Sequence, residues 1–107
     1  MIKVIPSGQA CGAAVTGLDL SKRLDVGTLR TVRSAWLEHH ILAFPDQTLT
    51  NADLERIVQS LGVFGSEPFF ESMPGSEHVV ALMRTADEKA PLFADNWHSD
   101  WSFMGEP

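Results

Sequence analysis

The chain has 107 residues, which suits one domain of common size. Hydrophobic residues make up 44% and charged residues 21%, and the mean hydropathy is −0.02, which excludes a disordered or collagen-like chain. Eight basic against fourteen acidic residues give a net charge of −6 without a clustered basic stripe, so we expect no nucleic-acid partner.

The N-terminal part of the chain predicts two short strands. Ile2 and Val4 alternate with polar or small neighbours and are followed by Pro6, which indicates a strand that enters a turn. Residues 12–17 place small residues and a β-branched pair between two glycines, so a second strand is favoured over a helix.

Two amphipathic helices with a strand between them are predicted next. An N-cap at Asp25 begins the first helix, and capping-box spacing of Thr50 and Asp53 begins the second, which ends at Gly62. Residues 41–44 predict a buried strand. Both helices carry an apolar stripe, consisting of Leu29, Val32, Trp36 and His40 in the first and Leu54, Ile57, Val58 and Leu61 in the second. The residues expected to pack against the sheet are Leu29, Val32, Trp36, Leu54, Ile57 and Leu61.

The remainder of the chain predicts loops and two more strands. Residues 65–77 are rich in Pro, Gly and Ser and lie beside several phenylalanines, which indicates a loop with aromatic side chains. Residues 78–83 predict a strand and residues 85–91 a charged surface loop. A last strand is predicted over residues 96–103, and Gly105 and Pro107 are expected to end it. The element order is therefore mixed, with strands and two helices.

The residues that can carry chemistry are concentrated in the last predicted strand. Successive side chains of a strand point to opposite faces, so His98 and Asp100 are expected on one face, with Trp97 and Trp101 anchoring the other. An imidazole nitrogen and a carboxylate oxygen on one face can bind a divalent metal as two ligands of a facial triad, with the third ligand arriving from elsewhere. A His-x-Asp pair alone is also compatible with a surface ion pair.

The surrounding sequence decides between these interpretations. Three segments precede the run Trp97-His98-Ser99-Asp100 in a fixed order: Gly12-Ala13-Ala14-Val15-Thr16-Gly17-Leu18-Asp19-Leu20, His40-Ile41-Leu42-Ala43-Phe44-Pro45-Asp46-Gln47 and Leu61-Gly62-Val63-Phe64-Gly65. Together the four segments resemble the N-terminal signature, the helix-to-strand segment, the close of the next helix and the metal-binding strand of the TauD/TfdA family of Fe(II)- and 2-oxoglutarate-dependent dioxygenases.

This resemblance implies a fold class and a reaction. The class is α+β, mainly β, with residues 1–107 forming the N-terminal portion of one double-stranded β-helix (jelly-roll) domain and two helices packed on its sheet. His98 and Asp100 would bind Fe(II), with 2-oxoglutarate as co-substrate. Dioxygen would then hydroxylate a small organic substrate while 2-oxoglutarate is decarboxylated to succinate.

The resemblance also implies that the chain is incomplete. Family members are much longer, and the distal His ligand and the Arg that holds 2-oxoglutarate lie in the portion that would follow Pro107. Two metal ligands without the remaining strands leave the site open, so we expect this fragment alone to be inactive.

Three residues are predicted to contact the substrate, namely Glu67, Phe70 and Asn96. Taurine enzymes of the family carry a His and a Tyr in the loop after the Phe-Gly pair and an Asn shortly before the metal strand. By alignment these positions fall near Glu67, Phe70 and Ala94, which argues against taurine because Glu67 would repel a sulfonate. Structural alternatives remain open: Glu67 as a solvated loop residue, Phe70 as core and Asn96 as a turn residue.

The sequence also bears on location and partners. No apolar stretch approaches the roughly 20 residues that span a bilayer, and the N-terminus lacks the apolar region of a signal peptide, so we expect no membrane association and a cytoplasmic location. The single cysteine, Cys11, is expected to pack as a small apolar residue. The chain is compatible with a homo-oligomer. The alternative function is a non-catalytic module, derived from the same family, that binds a small acid or a partner protein.

Overall fold

The computed structural model describes residues 1–67, 69–91 and 94–105 and divides the chain into two compact units, Met1–Phe64 and Gly65–Pro107. Every helix and strand of the described chain belongs to the first unit. In chain order these elements are β1 (Lys3–Pro6), β2 (Ala13–Thr16), α1 (Val26–His39), β3 (Leu42–Ala43) and α2 (Asn51–Leu61).

The three strands form one sheet in the order β1-β2-β3. β1 pairs antiparallel with β2, with Lys3 opposite Thr16 and Pro6 opposite Ala13. β2 pairs in parallel with β3, where Ala13 lies opposite Leu42. The predicted strands of the first unit are therefore confirmed, but the third is only two residues long and is not buried as expected, because Leu42 is half-buried and Ala43 is exposed at the edge of the sheet.

The core of the first unit lies between the central strand and α1. Val15 on β2 is 1% exposed, and Val32 and Ala35 on α1 are also buried. Packing of α1 against β2 and β3 brings these side chains together, and α2 contacts α1. The expected position of α1 on the sheet is thus confirmed.

Part of the predicted apolar stripes is exposed, which corrects the expectation that both stripes are core. Trp36 is 46% exposed, and Leu54 and Val58 are 43% and 44% exposed. The physical reason is the size of the sheet, because a two-residue β3 covers little of the helical layer. Trp36 is instead held along the end of α1, where its Nε1 donates to the carbonyl oxygen of His40 at 3.1 Å.

Both predicted helix starts are confirmed in detail. The Asp25 carboxylate accepts the backbone N–H of Thr28 at 2.9 Å. Thr50 and Asp53 form a reciprocal capping box, in which each side chain accepts the other residue's backbone N–H. Donation by the Thr50 N–H and then by Arg56 lowers the pKa of Asp53 to about 2. An aspartate therefore performs the role that glutamate or glutamine usually takes at this position.

A side-chain clamp holds the loop that follows β2. Leu20 is 5% exposed, so its peptide groups need partners within the protein. Gln47 Oε1 accepts the Leu20 N–H at 2.8 Å, and Arg56 Nη2 donates to the Leu20 carbonyl at 3.0 Å. Gln47 Nε2 also donates to the Leu18 carbonyl at 3.2 Å. The loop is thereby fixed to the segment after β3 and to α2.

The described residues of the second unit form turns and irregular backbone, and the strands predicted over residues 78–83 and 96–103 are wrong. The isolated bridge in its described residues joins Met73 and Ser76. An extended segment without a ladder partner leaves its backbone groups unpaired, so turns are favoured. Ala94 and Trp101 adopt positive φ values of 55° and 50°, which an extended strand does not allow. Pro107, where the last strand was expected to end, lies outside the described residues.

Two smaller expectations are also settled by the structure. Cys11 is exposed rather than packed, because it lies in the turn between β1 and β2. Among the described residues no helix has the length and apolar character needed to cross a bilayer.

Removing the Val15 side chain tests the position of the core. Val15→Ala deletes two buried methyl groups from the central strand, and we expect a loss of about 2 kcal/mol in the free energy of unfolding. Val63→Ala is the matched control, because Val63 is 96% exposed. Urea denaturation of both variants checks this, and equal effects of the two substitutions would contradict the described core.

The capping box predicts a pH-dependent contribution to stability. The pKa of Asp53 falls from 3.8 to about 2 on folding, so its contribution is present above 3.8 and is lost as the pH falls through about 2. Asp53→Asn lacks this contribution, so we expect the Tm difference from the parent chain to be a few degrees near neutral pH and to shrink towards about pH 2. Asp46→Asn removes the same charge from an exposed turn and should show no such trend.

Candidate metal centre

The imidazole of His98 lies between two oxygen atoms of its own segment. Its Nδ1 is 2.7 Å from the carbonyl oxygen of Asn96, and its Nε2 is 3.0 Å from Oδ1 of Asp100. A carbonyl oxygen can only accept a hydrogen bond, so Nδ1 carries a hydrogen. In the neutral ring the lone pair is then on Nε2, the atom that faces the carboxylate.

Charge and hydrogen bonding around His98 favour the protonated ring in the absence of a metal. Acceptance by the Asn96 carbonyl is the largest cause that raises the pKa of His98, and the Asp100 carboxylate raises it further, while partial desolvation acts in the opposite direction. The two side chains are 48% and 83% exposed, and exposed ion pairs add little to stability. The fold therefore gains little from this pair as a salt bridge.

The spacing of the pair fits two ligands of one divalent metal ion. Two donor atoms that each lie about 2.1 Å from an octahedral metal, at a right angle, are about 3.0 Å apart. The distance between Nε2 of His98 and Oδ1 of Asp100 is 3.0 Å. The donor set, one imidazole and one carboxylate, is also the one found in facial-triad iron sites. Within residues 1–67, 69–91 and 94–105, no group of three or more His, Cys, Asp and Glu side chains can hold a metal ion.

The backbone that carries the two side chains is irregular over residues 97–99 and enters a turn at Asp100, so it is not a strand. The Met104 N–H donates to the Trp101 carbonyl at 2.8 Å, and Trp101 has a positive φ. The predicted convergence of His98 and Asp100 is thus present, but the predicted reason for it is wrong. The role of the pair in metal binding stays a prediction.

An open apolar pocket of about 320 Å³ borders the pair. Phe69 and Trp101 stack at 5.6 Å between ring centroids with an interplanar angle of 9°, and Phe103 meets both rings edge-on. The pocket contains no Lys or Arg among its described lining residues. That lining comprises Phe69, Phe70, Ala94, His98, Ser99, Asp100, Trp101 and Phe103.

A second pocket, of about 440 Å³, shares His98 and Asp100 with the first. It is also lined by Asn96 and Trp97, and its lining is more polar. The Asn96 side chain donates to Oδ1 of Asp95 at 3.0 Å within this region. The His98–Asp100 pair therefore forms part of the wall of both pockets.

The structure places the three predicted substrate residues differently. Phe70 is half-buried and lines the apolar pocket together with His98. Asn96 contacts His98 through its main-chain carbonyl rather than its amide. Glu67 is exposed, and its Oε1 accepts the backbone N–H groups of Phe69 at 2.7 Å and of Phe70 at 3.1 Å. The carboxylate thus stabilises its own loop.

Some features of the site were not found from the sequence. Trp97 was expected to anchor a strand, and its full exposure shows that this was wrong. The sequence did not predict the ring cluster of Phe69, Trp101 and Phe103. Residues 101 and 103 were assigned to a strand, and that assignment gave no reason to expect contact with Phe69 in the preceding loop. Clustered aromatic residues in both segments were the available signal. The carbonyl that orients His98 belongs to the main chain of Asn96, so the residue type at that position does not indicate the contact.

Comparison with known proteins identifies the family of the chain. Residues 3–107 match the family described as taurine catabolism dioxygenase TauD, TfdA family. An (S)-phenoxypropionate/alpha-ketoglutarate-dioxygenase of Delftia acidovorans is 40% identical over 111 residues, which cover 96% of this chain and 38% of that protein.

Solved structures are similar over part of the chain. A taurine dioxygenase from Burkholderia xenovorans superposes with a TM-score of 0.64 at 28% identity, covering 78% of this chain and 31% of that one. AAD-2 in complex with Mn(II) and N-oxalylglycine gives a TM-score of 0.56 at 31% identity, covering 58% and 25%. The chain spans 28% to 38% of the length of the curated relatives that it matches.

Proposed function

This chain belongs to the TauD/TfdA family, and we propose that it forms part of a Fe(II)- and 2-oxoglutarate-dependent dioxygenase in which His98 and Asp100 are two of the metal ligands. The observation that carries this proposal is the 3.0 Å separation of the His98 Nε2 and Asp100 Oδ1 atoms, which suits adjacent ligands of one metal. The family's reaction class supports the choice of iron over other divalent metals.

Fe(II) and 2-oxoglutarate, when bound, supply the means for dioxygen to hydroxylate a substrate C–H bond, with 2-oxoglutarate leaving as succinate and carbon dioxide. The chain's own contribution is to hold and orient donors. The Asn96 carbonyl binds the Nδ1–H of His98 and so keeps the Nε2 lone pair available. Asp100 contributes an anionic oxygen beside it, which offsets part of the charge of the metal.

The apolar pocket is the proposed position of the substrate. Its aromatic lining gives the His98–Asp100 pair an apolar wall on one side. We assign Phe70 to contact with the substrate body and the Asn96 amide to a polar contact in the adjoining pocket. We propose that the substrate is a small organic molecule other than taurine, because the Glu67 carboxylate, bound to the backbone N–H groups of Phe69 and Phe70, places a negative charge beside two residues of the pocket lining.

The remaining parts of the site are proposed to come from the region of the relatives that this chain does not cover. The described residues supply two donors, and a facial triad requires a third. We propose that the double-stranded β-helix, the third ligand and the group that holds 2-oxoglutarate belong to the complete protein. On this proposal the 107-residue chain alone forms no succinate.

A non-catalytic module of the same family is the second candidate function. The observation that favours it is the incomplete donor set within the described residues. Such a module would bind a small acid or a partner protein without a metal-dependent reaction. The two candidates differ in whether His98 and Asp100 act together on a metal ion.

Metal binding tests the proposal directly. Mn(II), used as a paramagnetic probe, is expected to broaden the amide NMR signals of residues 98–100 at substoichiometric amounts. His98→Ala and Asp100→Asn should each weaken Mn(II) binding about tenfold or more, because each removes one of two donors. His78→Ala and Asp87→Asn are the matched controls in the same unit and should leave binding unchanged.

Two outcomes would overturn the assignment. Equal Mn(II) binding by the parent chain and His98→Ala would show that the pair is no metal site and would favour the non-catalytic module. Loss of binding in the control variants as well would show that Mn(II) binding does not depend on the His98–Asp100 pair in particular. In the complete protein, consumption of oxygen that depends on 2-oxoglutarate should be abolished by His98→Ala.

A further inference from the structure

We propose that a pocket of the first unit binds a small organic anion that has a carboxylate-like head and an apolar body. The pocket has a volume of about 350 Å³ and lies between the loop after β2, the start of α1 and the face of α2. Its volume is within the range of small-molecule sites. None of its lining residues lines the pockets beside His98 and Asp100, so the proposal does not rest on the dioxygenase assignment.

Basic side chains line this pocket of an acidic chain. The chain carries fourteen acidic and eight basic residues, yet the described lining includes Lys22, Arg23 and Arg56 and no Asp or Glu. Two of these cations are paired with carboxylates outside the lining, Lys22 with Asp19 and Arg56 with Asp53, so the guanidinium of Arg23 is the positive charge that an anion would recognise.

The three cations have different roles. Arg56 is fixed, because its Nη1 binds Asp53 at 2.8 Å and its Nη2 binds the Leu20 carbonyl at 3.0 Å. Lys22 pairs with Asp19 at 3.2 Å, an exposed contact that leaves other ammonium hydrogens to donate. No hydrogen bond or ion pair ties Arg23 to another residue of the described chain. Arg23 is therefore the guanidinium available to a ligand.

Apolar side chains complete the pocket and determine the class of ligand. Leu24, Leu29 and Ile57 are half-buried along its lining, and Val26 is 64% exposed beside them. Bare inorganic anions would leave this apolar surface in contact with water. An organic anion covers the surface and places its head on Arg23, whose planar fork matches a carboxylate.

Ligand titrations followed by amide NMR test the proposal at constant ionic strength. The probes are hexanoate, its neutral analogue hexanamide, and inorganic sulfate. We expect hexanoate to shift the amide signals of Leu24, Leu29 and Ile57 in a saturable way, with a Kd on the order of 1 mM. Hexanamide and sulfate should each bind at least about fivefold more weakly, because hexanamide lacks the negative charge and sulfate lacks the apolar body.

A matched pair of variants locates the head group. Arg23→Gln should weaken hexanoate binding about fivefold, because it removes the free guanidinium without breaking a contact of the fold. Arg30→Gln removes the same charge from the exposed surface of α1, outside this pocket, and should leave binding unchanged.

Four results would overturn the proposal. They are the absence of saturable shifts with hexanoate, equal binding of hexanamide, equal binding of sulfate, and equal losses in Arg23→Gln and Arg30→Gln. Equal binding of hexanamide would mean an apolar site without anion recognition, and equal binding of sulfate would mean attraction to charge alone. All four readouts are independent of Mn(II) binding at His98, so failure here leaves the proposed function unaffected.

Discussion

The clamp on Leu20 is the constraint on which the first unit depends. Burial of this residue removes its peptide groups from water, and Gln47 and Arg56 satisfy them. These two side chains arrive from segments 27 and 36 residues further along the chain, so the clamp joins the loop after β2 to both the end of the sheet and α2. The same contact orients Arg56 in the wall of the proposed anion pocket. One polar contact thus serves both the fold and a candidate binding surface.

Local rules predicted the elements of the first unit well, because each depends on residues close in sequence. Asp25, Thr50 and Asp53 mark helix starts through hydrogen bonds that span three residues, and these were found from spacing alone. Burial was predicted less well, because it depends on how much surface the neighbouring elements offer. Trp36 has the right periodicity for the core, yet the narrow sheet leaves it partly exposed.

The candidate site shows a different balance. Residue types identified His98 and Asp100, and the family resemblance was confirmed over residues 3–107. The backbone that brings them together was not predicted, because an alternating pattern indicates a strand only where a partner strand can accept its hydrogen bonds. The orienting contact from the Asn96 carbonyl belongs to the main chain and so has no counterpart in residue identity. The proximity of the two side chains was therefore easier to predict than the backbone that carries them.

The candidate site lies on turns and irregular backbone, and this affects how its pocket can change during evolution. The pocket beside His98 is lined by residues of turns and irregular backbone, whereas the buried residues Val15 and Val32 belong to the first unit. Substitutions at the pocket lining remove few contacts that a folded core needs, so purifying selection for folding acts on them only weakly. Mutational drift can then explore new pocket shapes while the scaffold stays intact. This separation makes the site readily evolvable, since new specificities can arise without compensating changes in the core.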